Sequence, residues 1–273
     1  FNVWFFARLQ TVLPQAQLGR VTGCTMALAS LTQPVGQAVY GVLFDVFSAC
    51  PAGVLLGAGA VSAVFLTGAM RPSTAASADG PLNLYQAIHL ASRPEAAGKG
   101  VLVCFCDSIY SGRDVQKVNT YKTDAFNEQD LSCLGYMRDE ECYFMNQSLA
   151  VHTTASCFDV SELTALPRVD VLSFYAGAPA DALDYYAAHA RGIVIAGTGS
   201  GNYSSAWKNK IAELEPHGIP VVRASRIGHG IVSRDPHFEA SANCIPSYTL
   251  PPQKARILLS LALTVTNSYD EIE

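Results

Sequence analysis

The sequence predicts an α/β chain in two units, preceded by two transmembrane helices. Downstream of residue 63, short uncharged apolar runs alternate with amphipathic stretches, as in parallel sheets covered by helices. A glycine-rich turn joins one such run to the helical pattern behind it. The first sixty residues instead hold two long runs without any charged side chain. The predicted divisions are residues 1–63, a sheet domain at 64–145, a linker at 146–168 and a smaller parallel α/β domain at 169–273.

The first 63 residues are predicted to be membrane segments. No charged residue occurs between Arg20 and Asp45, a run of 24 residues, or between Asp45 and Arg71, a run of 25. About 20 apolar residues are enough to cross a hydrocarbon core about 30 Å thick. Membrane association through residues 21–70 is therefore expected. The alternative is a pair of buried helices in a soluble core.

Composition excludes several classes of partner. The 273 residues carry 18 basic and 23 acidic side chains, a net charge of −5, so no basic surface for nucleic acid is predicted. The eight cysteines include no C-x-x-C pair, so we predict neither a zinc site nor a dithiol redox motif. No metal or organic cofactor is expected. Cysteine usage leaves the compartment open and favours the cytoplasm.

Residues 63–92 are predicted to form a strand, a loop and a helix. The apolar run at 63–66 is typical of a strand buried on both faces. Pro72 ends it, since proline lacks an amide donor and restricts the preceding residue. Asp79 is the expected N-cap and Pro81 suits the first turn of a helix that runs to about residue 92. The apolar face of this helix is predicted to comprise Leu84, Tyr85, Ile88 and Ala91.

A candidate reactive lysine follows the next predicted strand, at residues 101–105. Residues 107–120 come after the carboxyl end of that strand, where open α/β sheets place their ligands. Lys117 is flanked by Val115 and Val118, so partial burial is predicted. Burial would lower the pKa of Lys117 and suit it to proton transfer. An ordinary surface lysine is the alternative interpretation.

The remaining elements follow the same periodicities. A hairpin is predicted from residues 134–137 and 142–145. The glycine-rich turn at 197–203 lies between a strand and a helix, but Asn202 occupies the last glycine position of the dinucleotide fingerprint. A phosphate site and a purely structural turn both remain alternatives there. In the C-terminal domain, strands are predicted at 169–174, 192–196 and 220–223, and helices at 180–190, 204–214 and 252–266.

From about residue 64 onward, several stretches resemble the L-asparaginase family. They are G-A-M-R-P-S-T-A-A-S-A-D-G-P at 68–81, R-D-V-Q-K-V-N-T at 113–120, G-T-G-S-G-N at 197–202 and P-Q-K-A-R-I-L-L at 252–259. The resemblance implies hydrolysis of L-asparagine, or alternatively L-glutamine, by a threonine nucleophile without a cofactor. It also implies a homotetramer whose sites form between subunits.

The same resemblance implies roles for individual residues. Lys117 corresponds to the catalytic lysine of the family, although Gln116 and Val118 replace two threonines of its pattern. Asn202 corresponds to an asparagine directed toward a neighbouring subunit. Lys254 is expected to be solvated. The expected substrate-binding residues are Ala69, Asn202 and one of two acids, Asp235 or Glu239.

The sequence lacks two motifs that this chemistry needs. It contains no complete T-G-G-T and no H-G-T-D-T, and the approximate match at residues 22–27, which includes Thr25, follows no buried strand. The first α/β domain is therefore expected to be partial and the chain inactive alone. Residues 9–63 instead resemble late helices of a major facilitator transporter, through Q-P-V-G at 33–36 and G-V-L-F-D at 41–45. A non-catalytic amino-acid-binding module and a transporter-derived membrane protein are the rival hypotheses.

Overall fold

The computed structural model describes residues 65–239 and 241–273. The predicted membrane segments, the transporter-like stretch and Thr25 lie outside or largely outside these residues. Across the described part of the chain, no helix combines the length and apolarity needed to cross a membrane.

The first part of the described chain contains two sheets and one helix. Five strands form a sheet in the order β1 (Phe65–Leu66), β2 (Leu102–Phe105), β3 (Ser108–Ser111), β6 (Gly135–Arg138) and β7 (Glu141–Phe144). A separate two-stranded ladder pairs β4 (Gln116–Lys117) with β5 (Phe126–Asn127). Helix α1 (Gly80–Ala91) connects β1 to β2.

Only one pair of strands in the five-stranded sheet is parallel. β1 and β2 run in the same direction, whereas β2–β3, β3–β6 and β6–β7 are antiparallel. The prediction of a parallel sheet in this domain is therefore wrong beyond its first pair. The cause is a tight turn at Cys106 and Asp107, both with positive φ (49° and 62°), which reverses the chain after β2. The predicted hairpin is confirmed as β6 and β7.

Helix α1 buries the face opposite to the predicted one. Leu84 and Ile88 are 53% and 60% exposed, whereas Asn83 and Gln86 are buried. The amide of Asn83 donates to Gly68 O (2.9 Å) and its oxygen accepts from Cys106 N (3.0 Å), and Gln86 donates to Asp107 Oδ1 (2.6 Å). Asn83 faces inward because it satisfies backbone groups of two loops that pack beneath the helix, and Gln86 bonds the side chain of Asp107. Ala87 and Leu90 lie on the same buried face and join the hydrophobic core.

The second part of the chain forms a four-stranded parallel sheet, as predicted. The strand order is β11 (Cys244–Pro246), β10 (Val221–Ser225), β9 (Gly192–Gly197) and β8 (Val169–Ser173), of which β11 was not predicted. The helices are α2 (Ala182–His189), α3 (Ser205–Leu214), α4 (Pro252–Val265) and the short α5 (Tyr269–Ile272).

Different helices pack on the two faces of this sheet. On β9, Ile193 and Ile195 pack with α2 and α3, whereas Val194 packs on the opposite face with α4. This alternation follows the two-residue period of a strand. Between β7 and β8, the described part of the predicted linker forms one short 3₁₀ turn and no strand or α-helix. The C-terminal domain is thus a three-layer α/β unit with α4 on one outer layer.

Candidate functional site

Lys117 lies on the exposed ladder of β4 and β5. It pairs with Phe126, and its Nζ atom lies 5.8 Å from the centre of the Phe126 ring. Lys117 itself is exposed, and the neighbouring Val118 is 47% exposed. The prediction of a partly buried lysine is therefore wrong, because β4 stands outside both main sheets. The side chain is accessible to a small molecule in solution.

Aromatic packing fastens this ladder to the loop that contains Ala69. The ring of Phe126 lies 4.7 Å from the ring of Phe105, and Tyr110 donates a hydrogen bond to Phe126 O (2.9 Å). A Cβ atom at Gly68 would lie 3.7 Å from the same Phe105 ring. The structure therefore brings the loop of Ala69 and the strand of Lys117 onto one small hydrophobic cluster.

Asp79 shapes the loop around Ala69. Its two carboxylate oxygens accept hydrogen bonds from Met70 N and Arg71 N, both at 2.9 Å. Burial would raise the pKa of Asp79, but the backbone N–H groups of Met70, Arg71 and Asp79 together with the charge of Arg71 hold the pKa below its ordinary value. Asp79 is the N-cap residue of α1 as predicted, yet its side chain does not cap the helix. The carboxylate organises the loop instead, and leaves Ala69 exposed.

Lys254, on α4, holds the backbone that leads into β4. Its Nζ atom donates to Gly112 O (3.3 Å), Arg113 O (2.5 Å) and Val115 O (2.5 Å). Burial lowers the pKa of Lys254 below its ordinary value. The prediction of a solvated lysine is wrong. A cation in the first turn of a helix opposes the helix dipole, and this conflict was the available sequence signal for a specific role.

A buried carboxyl group holds the same backbone from the other side. Glu128 is 3% exposed and accepts a hydrogen bond from Ser111 N. Burial raises the pKa of Glu128 to about 7, and the nearby charge of Asp114 acts in the same direction. Residues 111–115 are thus held between Glu128 and Lys254, immediately before Lys117. Sequence analysis identified neither of these two residues as part of the site.

Ionisation of Glu128 is expected to make stability depend on pH. The folded-state pKa of about 7 exceeds the ordinary value of 4.5, so the folded state keeps its proton longer than the unfolded state. The stabilisation is complete below about pH 4.5 and is lost as the pH rises through 7, with a slope of at most about 1.4 kcal/mol per pH unit. Glu128→Gln should therefore gain stability relative to wild type between pH 5 and 8, measured by urea unfolding. Equal pH profiles for wild type and Glu128→Gln, or the same gain in the exposed control Glu162→Gln, would contradict this.

The glycine-rich loop after β9 presents Asn202 to solvent. The backbones of Thr198 and Asn202 exchange two hydrogen bonds of 3.0 and 2.6 Å, which closes the loop. Gly201 has φ +82°, and a Cβ there would lie 3.1 Å from both Arg223 and Val232. Glycine is therefore required for close approach as well as for conformation. The Asn202 side chain is exposed and makes no hydrogen bond to another described residue.

The two candidate acids occupy different environments. Glu239 is buried, where one carboxylate oxygen accepts from Arg223 Nε (2.6 Å) and the other accepts from Asp235 N. Arg223, which is 1% exposed, also donates to Ser200 O and Ser233 O, each at 2.6 Å. Asp235 is exposed and accepts from His237 N (2.8 Å). Glu239 is committed to an internal ion pair, whereas Asp235 is accessible to a ligand.

No hydrogen bond joins Lys117 and Asn202 within the described residues, and neither lines the cavity between their segments. A cavity of about 220 Å³ is lined by Gln116 of β4 together with Gly199 and Ser200 of the glycine-rich loop. Because neighbouring side chains of a strand point to opposite faces, Lys117 points away from this cavity. The described residues therefore display two separate groups of candidates, one around Lys117 and Ala69 and one around Asn202 and Asp235.

A carboxylate also ties the first part of the chain to the loop after β10. Asp130 accepts from Gly230 N (2.6 Å) and lies 3.2 Å from His229 Nδ1. These contacts hold the pKa of Asp130 below its ordinary value, chiefly through the Gly230 N–H group. No group of three or more histidine, cysteine or carboxylate side chains within the described ranges is arranged to hold a metal ion.

Two family models match the chain. Residues 54–150 match the asparaginase N-terminal domain, and residues 168–273 match the glutaminase/asparaginase C-terminal domain. The first match begins at residue 54, ahead of the predicted boundary at residue 64.

Similar proteins agree with these models. The chain is 43% identical to L-asparaginase 2 of Bacillus subtilis over 211 residues, which is 77% of this chain and 56% of the relative. It is 41% identical to L-asparaginase 2 of Escherichia coli over 214 residues, covering 77% and 61% of the two chains. The chain thus spans roughly three-fifths of the length of the curated relatives that it matches.

A solved structure shows the same fold at a similar level of identity. The crystal structure of a probable cytoplasmic L-asparaginase from Campylobacter jejuni is 42% identical, with a TM-score of 0.74 over 78% of this chain and 70% of that one. The two family models together cover the residues that contain Lys117, Asn202 and the buried pair of Arg223 and Glu239. The chain belongs to the asparaginase family.

Proposed function

We propose that residues 65–273 form the lysine-bearing part of an asparaginase-type amidohydrolase. The reaction is hydrolysis of L-asparagine to L-aspartate and ammonia, with L-glutamine as an alternative substrate. The observation behind this proposal is the accessible ε-amino group of Lys117, placed beside the loop of Ala69 on a backbone held by Lys254. A hydroxyl is a weak nucleophile at neutral pH and needs a nearby base or positive charge. Lys117 supplies that group.

Two further residues complete the proposed site from another subunit. Asn202 and Asp235 are exposed on the C-terminal domain, away from Lys117. In a homotetramer they contact the substrate held by a neighbouring chain. The free side chain of Asn202 and the accessibility of Asp235 support this assignment. Because its carboxylate is occupied by Arg223 and by the Asp235 backbone, Glu239 serves the fold of this loop.

Residues 1–273 contain no recognisable nucleophile motif of the family. The sequence has neither T-G-G-T nor H-G-T-D-T. Purified chain is therefore expected to release no ammonia from L-asparagine above the level of its Lys117→Ala variant. Ammonia release that Lys117→Ala abolishes would show that a nucleophile is present, with Thr25 the first candidate, and would overturn the proposed inactivity.

A chimaera tests whether residues 65–273 support amide hydrolysis and whether Lys117 is needed for it. The N-terminal part of Bacillus subtilis L-asparaginase 2 is joined to residues 65–273, and ammonia release is measured with L-asparagine and L-glutamine. The chimaera should be active, and Lys117→Met should lower kcat at least a hundredfold, since general acid–base groups typically contribute 10²–10⁴-fold. Lys122→Met, a nearby exposed lysine, should leave kcat unchanged. An active chimaera that tolerates Lys117→Met would contradict the role of Lys117.

The rival hypotheses predict different results. A non-catalytic amino-acid-binding module would bind L-asparagine or L-aspartate to the intact chain in calorimetry, and its chimaera would stay inactive. A transporter-derived membrane protein would partition into detergent through residues 21–70 and bind neither ligand. The accessible Lys117 and the family relationship favour the amidohydrolase.

A further inference from the structure

A second cavity lies away from both groups of candidate residues. It encloses about 440 Å³ between the ends of β2 and β3, the segment between β7 and β8, and one side of α4. Ligand pockets typically measure about 300–1,000 Å³. The residues that line it are largely apolar, and four of them are partly exposed to solvent. The exposed fractions are 42% for Val101, 75% for Val151, 50% for Ile257 and 41% for Leu258.

Basic side chains, and no acidic ones, line this cavity. Lys99, Arg113, His152 and Lys254 line it, and no aspartate or glutamate does. This is notable in a chain with a net charge of −5. Two of these cations are already engaged, Arg113 with Asp114 and Lys254 with three carbonyl oxygens.

The other two basic side chains, Lys99 and His152, are open to a ligand. Lys99 Nζ lies 4.7 Å from the centre of the Phe144 ring and forms no ion pair with any described residue. His152 contacts Thr153 Oγ1 through Nδ1 (3.0 Å), which leaves Nε2 without a partner among the described residues. An anionic group placed between them would gain charge-assisted hydrogen bonds without displacing an internal carboxylate.

The geometry points to a binding site for a medium-chain fatty carboxylate. The aliphatic chain covers the exposed walls formed by Val151, Ile257 and Leu258, and each buried methylene contributes about 0.8 kcal/mol. The carboxylate meets Lys99 and His152 at the rim. A cation is excluded because the cavity offers no acidic side chain. A short carboxylate lacks the apolar area needed for affinity.

Calorimetry with decanoate on the purified full chain tests this site. We expect saturable binding of one decanoate per chain at pH 7, below its micelle concentration. Butyrate, with the same head group, and decyltrimethylammonium, with the same tail and opposite charge, should each bind at least tenfold more weakly. Leu258→Glu should weaken decanoate binding at least tenfold. Lys99→Gln should weaken it about threefold or more through loss of charge.

Matched controls separate the site from general effects. Val265→Glu adds the same charge to an exposed position of α4 (59%) outside the cavity, and Lys122→Gln removes an exposed cation elsewhere; both should bind decanoate like wild type. The proposal is overturned by absence of saturable binding, by equal binding of decyltrimethylammonium, or by equal loss in Val265→Glu. Concentration-dependent self-association that Leu258→Glu abolishes would assign the surface to a second copy of this chain and overturn it as well.

Discussion

Replacement of Arg223 by methionine is expected to lower the free energy of unfolding by about 3–5 kcal/mol. The guanidinium group is 1% exposed and meets Glu239, Ser200 O and Ser233 O, so its removal strands a buried carboxylate and two carbonyl oxygens. A buried charge without its partner is the costliest defect that a single substitution can introduce here. Urea denaturation followed by tryptophan fluorescence measures the change, since Trp207 lies in the core of the same domain.

Two further variants test whether the unpaired charge of Glu239 or lost packing causes the loss of stability. Arg226→Met removes an exposed arginine three positions away and should change stability by less than about 0.5 kcal/mol. The double variant Arg223→Met with Glu239→Leu removes both charges and should recover part of the loss, because the stranded carboxylate is gone. A double variant less stable than Arg223→Met would show that lost packing, rather than the unpaired charge, dominates.

Lys254→Met is expected to loosen the backbone before Lys117 while leaving the rest of the fold intact. Methionine keeps most of the apolar stem of the lysine but loses the three hydrogen bonds to the carbonyl oxygens of Gly112, Arg113 and Val115. Amide exchange measured by mass spectrometry should accelerate about 10–100-fold over residues 112–118, which corresponds to about 1.4–2.8 kcal/mol of local stability. Exchange over β8–β10 should stay unchanged.

A lysine from the same domain provides the control for this experiment. Lys208→Met on α3 should leave exchange over residues 112–118 at the wild-type rate. In the active chimaera, Lys254→Met should lower kcat, because a lysine on a loosened strand spends less time in the reactive position. Unchanged exchange over residues 112–118 in Lys254→Met would mean that the three hydrogen bonds do not hold this segment.

The C-terminal domain was the more predictable half of the fold. Its strands β8 to β10 are mostly apolar, with one charged residue in β8 (Asp170) and one in β10 (Arg223). Its helices follow a regular period, so local patterns and tertiary structure agree except at β11. In the first domain they disagree at two places. The turn at Cys106 and Asp107 lacks the glycine or asparagine that usually signals a hairpin, and α1 buries Asn83 and Gln86 because they bond to loops distant in sequence. Neither contact is visible in a local pattern.

The candidate site shows the same limit. Lys117 was identified through the resemblance to the asparaginase family. The partial burial that Val115 and Val118 predicted for it was wrong. Asp235 and Glu239 were indistinguishable in sequence, and only the buried partner of Glu239 separates them. The partners of Lys254 are carbonyl oxygens distant in sequence, which no local pattern identifies. The position of its charge in the first turn of α4 was the one local sign of a specific role.

The contact of Lys254 with Val115 also bears on the order in which this protein is made. The two residues are 139 positions apart, and the lysine is the later of the two to be synthesised. At about 5–20 residues per second, the ribosome needs roughly seven to thirty seconds to cover that interval. During this time the nascent chain already contains Lys117, but nothing from α4 holds the backbone that precedes it. The backbone before Lys117 is therefore held from this side only after α4 has been synthesised.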